Sequence, residues 1–146
     1  GPADDGARRI RDGHGGAGRH DLFVAHWDGT AFVQPKPVPG INTKADEFDA
    51  AWLGDGRTLV YARSQDPASK PVRLFVAHCG GTRYNDAGPL TLSFNTDDAT
   101  TLGPTIDWNK PGELLVTGAA KSPRAGKLDI YRMKAPAGAG KDGCVL

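Results

Sequence analysis

The pentapeptide Leu-Phe-Val-Ala-His occurs twice in this chain, at residues 22–26 and 74–78. A degenerate copy, Asp129-Ile130-Tyr131-Arg132, follows later. Phe23 and Phe75 lie 52 positions apart, and Phe75 and Tyr131 lie 56 apart. A period of about 50 residues is that of one four-stranded propeller blade rather than of a helical solenoid unit. Such a repeat restricts the chain to stacked antiparallel sheets. It speaks less to activity, because repeats spend most of their sequence on packing against one another.

The 146 residues suffice for one ordinary domain. With 20 Gly, 11 Pro and 38% hydrophobic residues, the balance suits short strands joined by many turns. A formal charge of +1 gives no pull toward nucleic acid or an anionic membrane. No run approaches the roughly 18 apolar residues of a membrane span. Cys79 and Cys144 are 65 positions apart, without the local spacing of a zinc site. Two readings of them stay open: a disulfide in an oxidising compartment, or a buried thiol at Cys79 and a mobile one at Cys144.

Along the chain, residues 1–19 are mostly Gly, Asp and Arg with Ile10 as the one large aliphatic side chain, and they read as a Gly-rich leader or loop. Strands are predicted over 21–26, 31–38, 48–53, 58–62, 72–78, 84–94, 104–108, 113–117 and 128–133. Pro35, Pro37 and Pro39 mark the second of these as an edge strand. Asp28-Gly29 and Asp55-Gly56 are turn formers, Gly supplying positive φ and Asp capping the turn. Residues 135–146 read as a flexible tail. No window carries a helical stripe, so the predicted class is all-β.

The stretch Ile41-Asn42-Thr43-Lys44-Ala45-Asp46-Glu47-Phe48, followed by Asp55-Gly56-Arg57-Thr58-Leu59-Val60-Tyr61, resembles the TolB-type propeller repeat. That repeat runs from an Asn-Thr and acidic link through a Ser-Pro-Asp-Gly turn and a Leu-Tyr-Phe strand to Asp-Ile/Leu-Tyr-Val. Asp21-Leu22-Phe23-Val24 and Asp129-Ile130-Tyr131 match its last element, and the Gly-rich residues 11–19 resemble the loop before it. The likeness covers roughly residues 11–134. The chain departs from it at Leu53-Gly54-Asp55-Gly56, which lacks Ser-Pro, and at Asn109-Lys110-Pro111-Gly112, which lacks the Asp. Arg73 stands where Asp21 and Asp129 stand. The resemblance implies a partial β-propeller of four-stranded antiparallel blades, about two and a half from a six-bladed ring. It also implies a periplasmic or extracellular setting. The blades are expected at 20–40 (partial), 41–94 (full) and 95–134 (partial), with two, four and three strands. Such an arc leaves apolar faces open, which further blades or other copies of the chain would cover.

Candidate chemistry is sparse. His26 and His78 are repeat-equivalent, which favours equal places on separate blades over a shared metal or acid–base site. No His-x-x-His or His-Glu-x-x-His spacing exists, and Ser64, Ser69, Ser93 and Ser122 lack a Gly-x-Ser-x-Gly elbow. The candidate binding residues are Asn42, Asp46, Glu47, Asn95, Asp97 and Asp98, on two equivalent links expected at one face of the ring. Carboxylates beside Asn and Thr oxygens suit Ca²⁺. The competing reading has Asn and Thr bonding nearby backbone, with the acids solvated. Trp52 and Trp108, 56 positions apart, read as packing residues ahead of stacking platforms. Three functions follow. The first is a non-catalytic exported module that binds a protein or surface glycan. The second is the propeller lid of a serine peptidase, with its hydrolase elements elsewhere. The third is a propeller lyase or glycosidase built on a carboxylate pair.

Overall fold

The computed structural model describes residues 8–14, 16–64, 71–120 and 125–136. These form ten strands and no helix. In chain order the strands are β1 (Arg8–Gly13), β2 (Asp21–Trp27), β3 (Phe32–Pro37), β4 (Asp46–Trp52), β5 (Thr58–Ser64), β6 (Arg73–Cys79), β7 (Tyr84–Pro89), β8 (Leu102–Ile106), β9 (Glu113–Gly118) and β10 (Asp129–Lys134). They make three antiparallel meanders, β1-β2-β3, β4-β5-β6-β7 and β8-β9-β10, and none of the three sheets closes on itself.

The leader is corrected at one point: residues 8–13, read as loop, are a strand, so the first sheet has three strands where two were expected. Little side-chain hydrophobicity marks β1, because only Ile10 is buried. Its order comes from the backbone ladder with β2, in which Ile10 faces Val24 and Arg11 faces Phe23. Arg8 adds packing that a charge pattern does not reveal. Its guanidinium lies 4.1 Å from the Trp52 ring centroid, and Nη2 donates to the Gly56 carbonyl at 2.8 Å. At the other end Ala135 is tied down, its N–H donating to Gly112 O at 2.9 Å. The rest of the expected tail, residues 137–146, lies outside the described residues.

The registers define which residues are equivalent. Phe23 pairs with Arg11, Phe75 with Tyr61 and Tyr131 with Val116. Leu22, Leu74 and Ile130 therefore share one position on the face toward the following sheet. Phe23, Phe75 and Tyr131 share one on the face toward the preceding sheet. The central sheet is buried on both sides, and every residue of β5 is buried. Leu59 and Tyr61 join Ile10, Leu22, Val24 and Trp52 in one core, against the first sheet. Val60 and Ala62 join Leu74, Ile106, Leu114 and Val116 in the other, against the third. A run without polar alternation is what a two-faced strand requires.

Trp108 is also corrected. Trp52 pairs with Leu59 and is fully buried, but the residue pairing with the equivalent Leu114 is Ile106. Trp108 lies two residues beyond, in the turn, and is 49% exposed. Equal spacing in the sequence concealed a longer turn: five residues separate Trp52 from Thr58, and six separate Ile106 from Glu113.

Candidate functional site

The links between sheets are held by two asparagines in the same way. Asn42 Oδ1 accepts from Leu22 N at 2.8 Å, and its Nδ2 donates to Leu22 O at 2.9 Å and Val38 O at 3.5 Å. Asn95 Oδ1 accepts from Leu74 N at 2.9 Å, and its Nδ2 donates to Leu74 O at 2.9 Å and Leu90 O at 2.8 Å. Each amide thus satisfies both polar groups of the Leu that opens the repeated pentapeptide, 20 or 21 residues upstream. An amide carries a donor end and an acceptor end, so a single residue serves both groups.

Each link then runs past the loop of the preceding sheet. Glu47 N donates to His20 O at 2.9 Å, and Thr101 N donates to Val72 O at 2.8 Å. Asp46 reinforces the first contact by accepting from His20 N at 3.0 Å. Those loops carry caps of their own. Asp21 accepts from Gly18 N at 3.0 Å, and Asp129 accepts from Ala125 N at 2.9 Å. A shared Asp three or four residues after a loop N–H explains why this position recurs as Asp in two repeats.

The six candidate residues therefore divide by location. Asn42 and Asn95 are latches. Asp46 and Glu47 are buried at the start of β4, while Asp97 and Asp98 are exposed on the second link. Spatially, Glu47 corresponds to Thr101, not to Asp98, so the carboxylates of the two links are not equivalent. Among the described residues, no three His, Cys, Asp or Glu side chains gather to hold a metal ion. His26 and His78 stand on separate sheets, opposite Arg8 and Thr58.

Glu47 belongs to a network that the sequence reading did not anticipate. Its carboxylate accepts from Thr43 N and Thr43 Oγ1, both at 2.8 Å, and from Arg63 Nε at 2.9 Å. Arg63 also donates to Asp86 Oδ2 at 2.8 Å and to Ile41 O at 3.0 Å, and its guanidinium lies 4.8 Å from the Phe75 ring centroid. Burial pushes the Glu47 carboxyl up, against the opposing hydrogen bonds from Thr43 and Arg63. At Asp86 burial also works upward, but the bonds from Arg63 and Gly88 N–H prevail and hold the carboxyl below the usual range. The available signal was Arg63 itself, a charge within an otherwise apolar strand.

At the edges of the second and third sheets, β4 and β8 carry matching bulges. Asp49 (φ 48°) lies in the first and Gly103 (φ 63°) in the second. A non-glycine residue in the left-handed region marks local strain. Partial burial and the neighbouring charge of Asp12 raise the Asp49 carboxyl. Asp12 Oδ2 lies 3.6 Å from His20 Nδ1, and the His14 and His20 ring centroids are 4.7 Å apart.

Two clefts open beside the links. One of about 550 Å³ is lined by Phe94, Thr96, Asp98, Ala99 and Ala119. The other, of about 340 Å³, is lined by Thr43, Lys44, Ala45 and Arg63. They recur in step with the repeat, and charged groups of opposite sign line them. Cys79 is disulfide-bonded, and Cys144 lies outside the described residues. Among the described residues, no helix is long and apolar enough to cross a membrane. The chain matches no protein family model, no curated protein and no solved structure.

Proposed function

We propose that this chain is a non-catalytic, TolB-like propeller module that binds a protein or a surface ligand through its link face. The observation that carries the reading is the pair of asparagine latches. They spend their amides on the scaffold, so that exposed side chains of the same links, Lys44, Asp97 and Asp98, stand at repeating positions beside two clefts. A rigid scaffold presenting variable loop side chains is the usual arrangement for recognition. In this reading each sheet is one blade, and further repeats or copies continue the arc. The disulfide at Cys79 supports an oxidising, exported setting.

A panel of surface glycans and surface proteins tests the reading. Wild-type chain is expected to retain a subset of them, and Asp97→Lys with Asp98→Lys to lose that subset with an unchanged melting curve. Retention that ignores every exposed link substitution counts against it. The peptidase-lid alternative is separated by the gene: it requires a longer reading frame with a Gly-x-Ser-x-Gly elbow. The lyase or glycosidase alternative requires turnover that is lost on changing Asp46, Glu47, Asp97 or Asp98.

A further inference from the structure

We propose that the two end faces of the stack dock on each other between copies of this chain, head to tail. The inference rests on the repeat reading above and adds the identity of the partner. The interface already built between the first two sheets shows what each end face fits. There, Ile10, Leu22 and Val24 of one sheet cover Ala77, Cys79 and Tyr84 of the next, with Phe75 packed alongside. The registers place Phe23, Ala25, Trp27 and Phe32 at the positions of Phe75, Ala77, Cys79 and Tyr84, on the open face of the first sheet. They place Leu115, Ile130 and Arg132 at those of Ile10, Leu22 and Val24, on the open face of the third sheet. The chain thus carries both halves of a contact that it also makes internally.

Exposure makes the same point. Leu22 and Leu74 are 0% exposed, while Ile130 at their position is 73% exposed, and Trp27 at the position of buried Cys79 is 47% exposed. The exchanges are matched in kind. Where the internal contact sets Val24 in a cluster with Cys79 and Tyr84, the ends offer Arg132 with Trp27 and Phe32, and an arginine over an indole is a favourable pair. Trp27 and Phe32 already stand edge to face, with centroids 5.2 Å apart. The faces also differ in charge. Arg9 and Arg11 lie on the first, while on the third Asp107 and Glu113 balance Arg132, which binds both, and Lys134. A surface that pairs with a different surface of the next copy is heterologous and propagates or closes by rotation.

Sedimentation of the 146-residue chain from 1 to 100 µM tests this. Concentration-dependent association is expected, at least ten-fold weaker in Ile130→Lys and in Trp27→Glu, both exposed changes that leave the melting temperature unaltered. Mixing the two variants is expected to restore a 1:1 dimer and nothing larger, because one intact face remains on each. A folded wild-type monomer at 100 µM overturns the proposal, as does a mixture of variants that stays monomeric or association that neither variant weakens. Those results leave the link-face reading standing, since the glycan and protein panel tests it on monomer and oligomer alike.

Discussion

Asn42 and Asn95 make the same bonds to Leu22 and Leu74, the first residues of the two repeated pentapeptides. The repeat thus includes a residue and its latch, brought together across 20 or more positions of chain. Replacing Asn95 takes the partner from Leu74 N and from Leu90 O, whereas Leu74 O keeps Leu90 N as a donor at 2.9 Å. Asn95→Ala is expected to cost about 2–4 kcal/mol in denaturant unfolding, since buried polar groups left unpaired cost about 1–3 kcal/mol each and some rehydrate. Asn95→Asp is expected to fare little better, having lost the donor.

Gly40→Ala is expected to destabilise by about 2 kcal/mol or more. Gly40 has φ 96°, and an added Cβ would stand 1.9 Å from the Tyr84 carbonyl oxygen. The backbone on both sides is fixed by Tyr84 N donating to Pro39 O at 2.8 Å, so neither strand can move aside cheaply. Gly29→Ala, at φ 103° with open space around it, carries only the conformational part of that cost and serves as the control in the same melts.

Arg63→Ala is expected to cost about 3–5 kcal/mol, because it leaves the Glu47 carboxylate buried without its cation. The double variant Arg63→Met with Glu47→Gln removes both charges and is expected to recover at least half of that loss. A double variant as unstable as Arg63→Ala would show that the pair acts through shape, not charge.

Trp52→Ala is expected to cost about 3–5 kcal/mol and Trp108→Ala less than about 0.5 kcal/mol. The two lie 56 positions apart but only Trp52 is in the core, with Ile106 in the equivalent pairing position. Comparable losses in the two variants would contradict the register of the third sheet.

Acid is expected to weaken the turns. At Asp55 burial works upward, but bonds from Thr58 and Arg57 hold the carboxyl below its ordinary 3.8. A folded value below the unfolded one means stabilisation that is complete above about pH 3.8 and is lost as pH falls through the folded value. Asp86 follows the same sign. Glu47 runs the other way, its raised carboxyl contributing below about pH 4.5 and losing that contribution as pH rises through the folded value. Melting temperatures of wild type and Asp55→Asn are therefore expected to differ at pH 7 and converge below pH 3.8. A constant gap across that range would mean that the turn is indifferent to the charge.

The turns were the most legible part of the sequence. Asp28 Oδ1 accepts from Thr30 N at 2.8 Å and Ala31 N at 2.9 Å, and Asp55 Oδ1 accepts from Arg57 N and Thr58 N, both at 2.8 Å. These are local bonds, so local sequence suffices to see them. Predicted strands recur near their observed places for the same reason. The latches were only half legible. Their equivalence follows from spacing, but their partners are not in the adjacent turn; they lie on β2 and β6 of the preceding sheets.

The sequence by itself determined the period, the all-β class and the turn chemistry, because these depend on residue type and on neighbours within a few positions. Only the tertiary structure decided which charged and aromatic residues are buried. Arg63 and Glu47 are inside because the central sheet is covered on both faces and the two charges meet there. Trp108 is outside because Ile106 takes the pairing position and Trp108, two residues on, falls in the turn. Residues 8–13 form a strand because β2 offers them a ladder, which nothing in their own side chains announces. Burial and pairing are properties of two segments at once, and spacing along one chain records only their repetition.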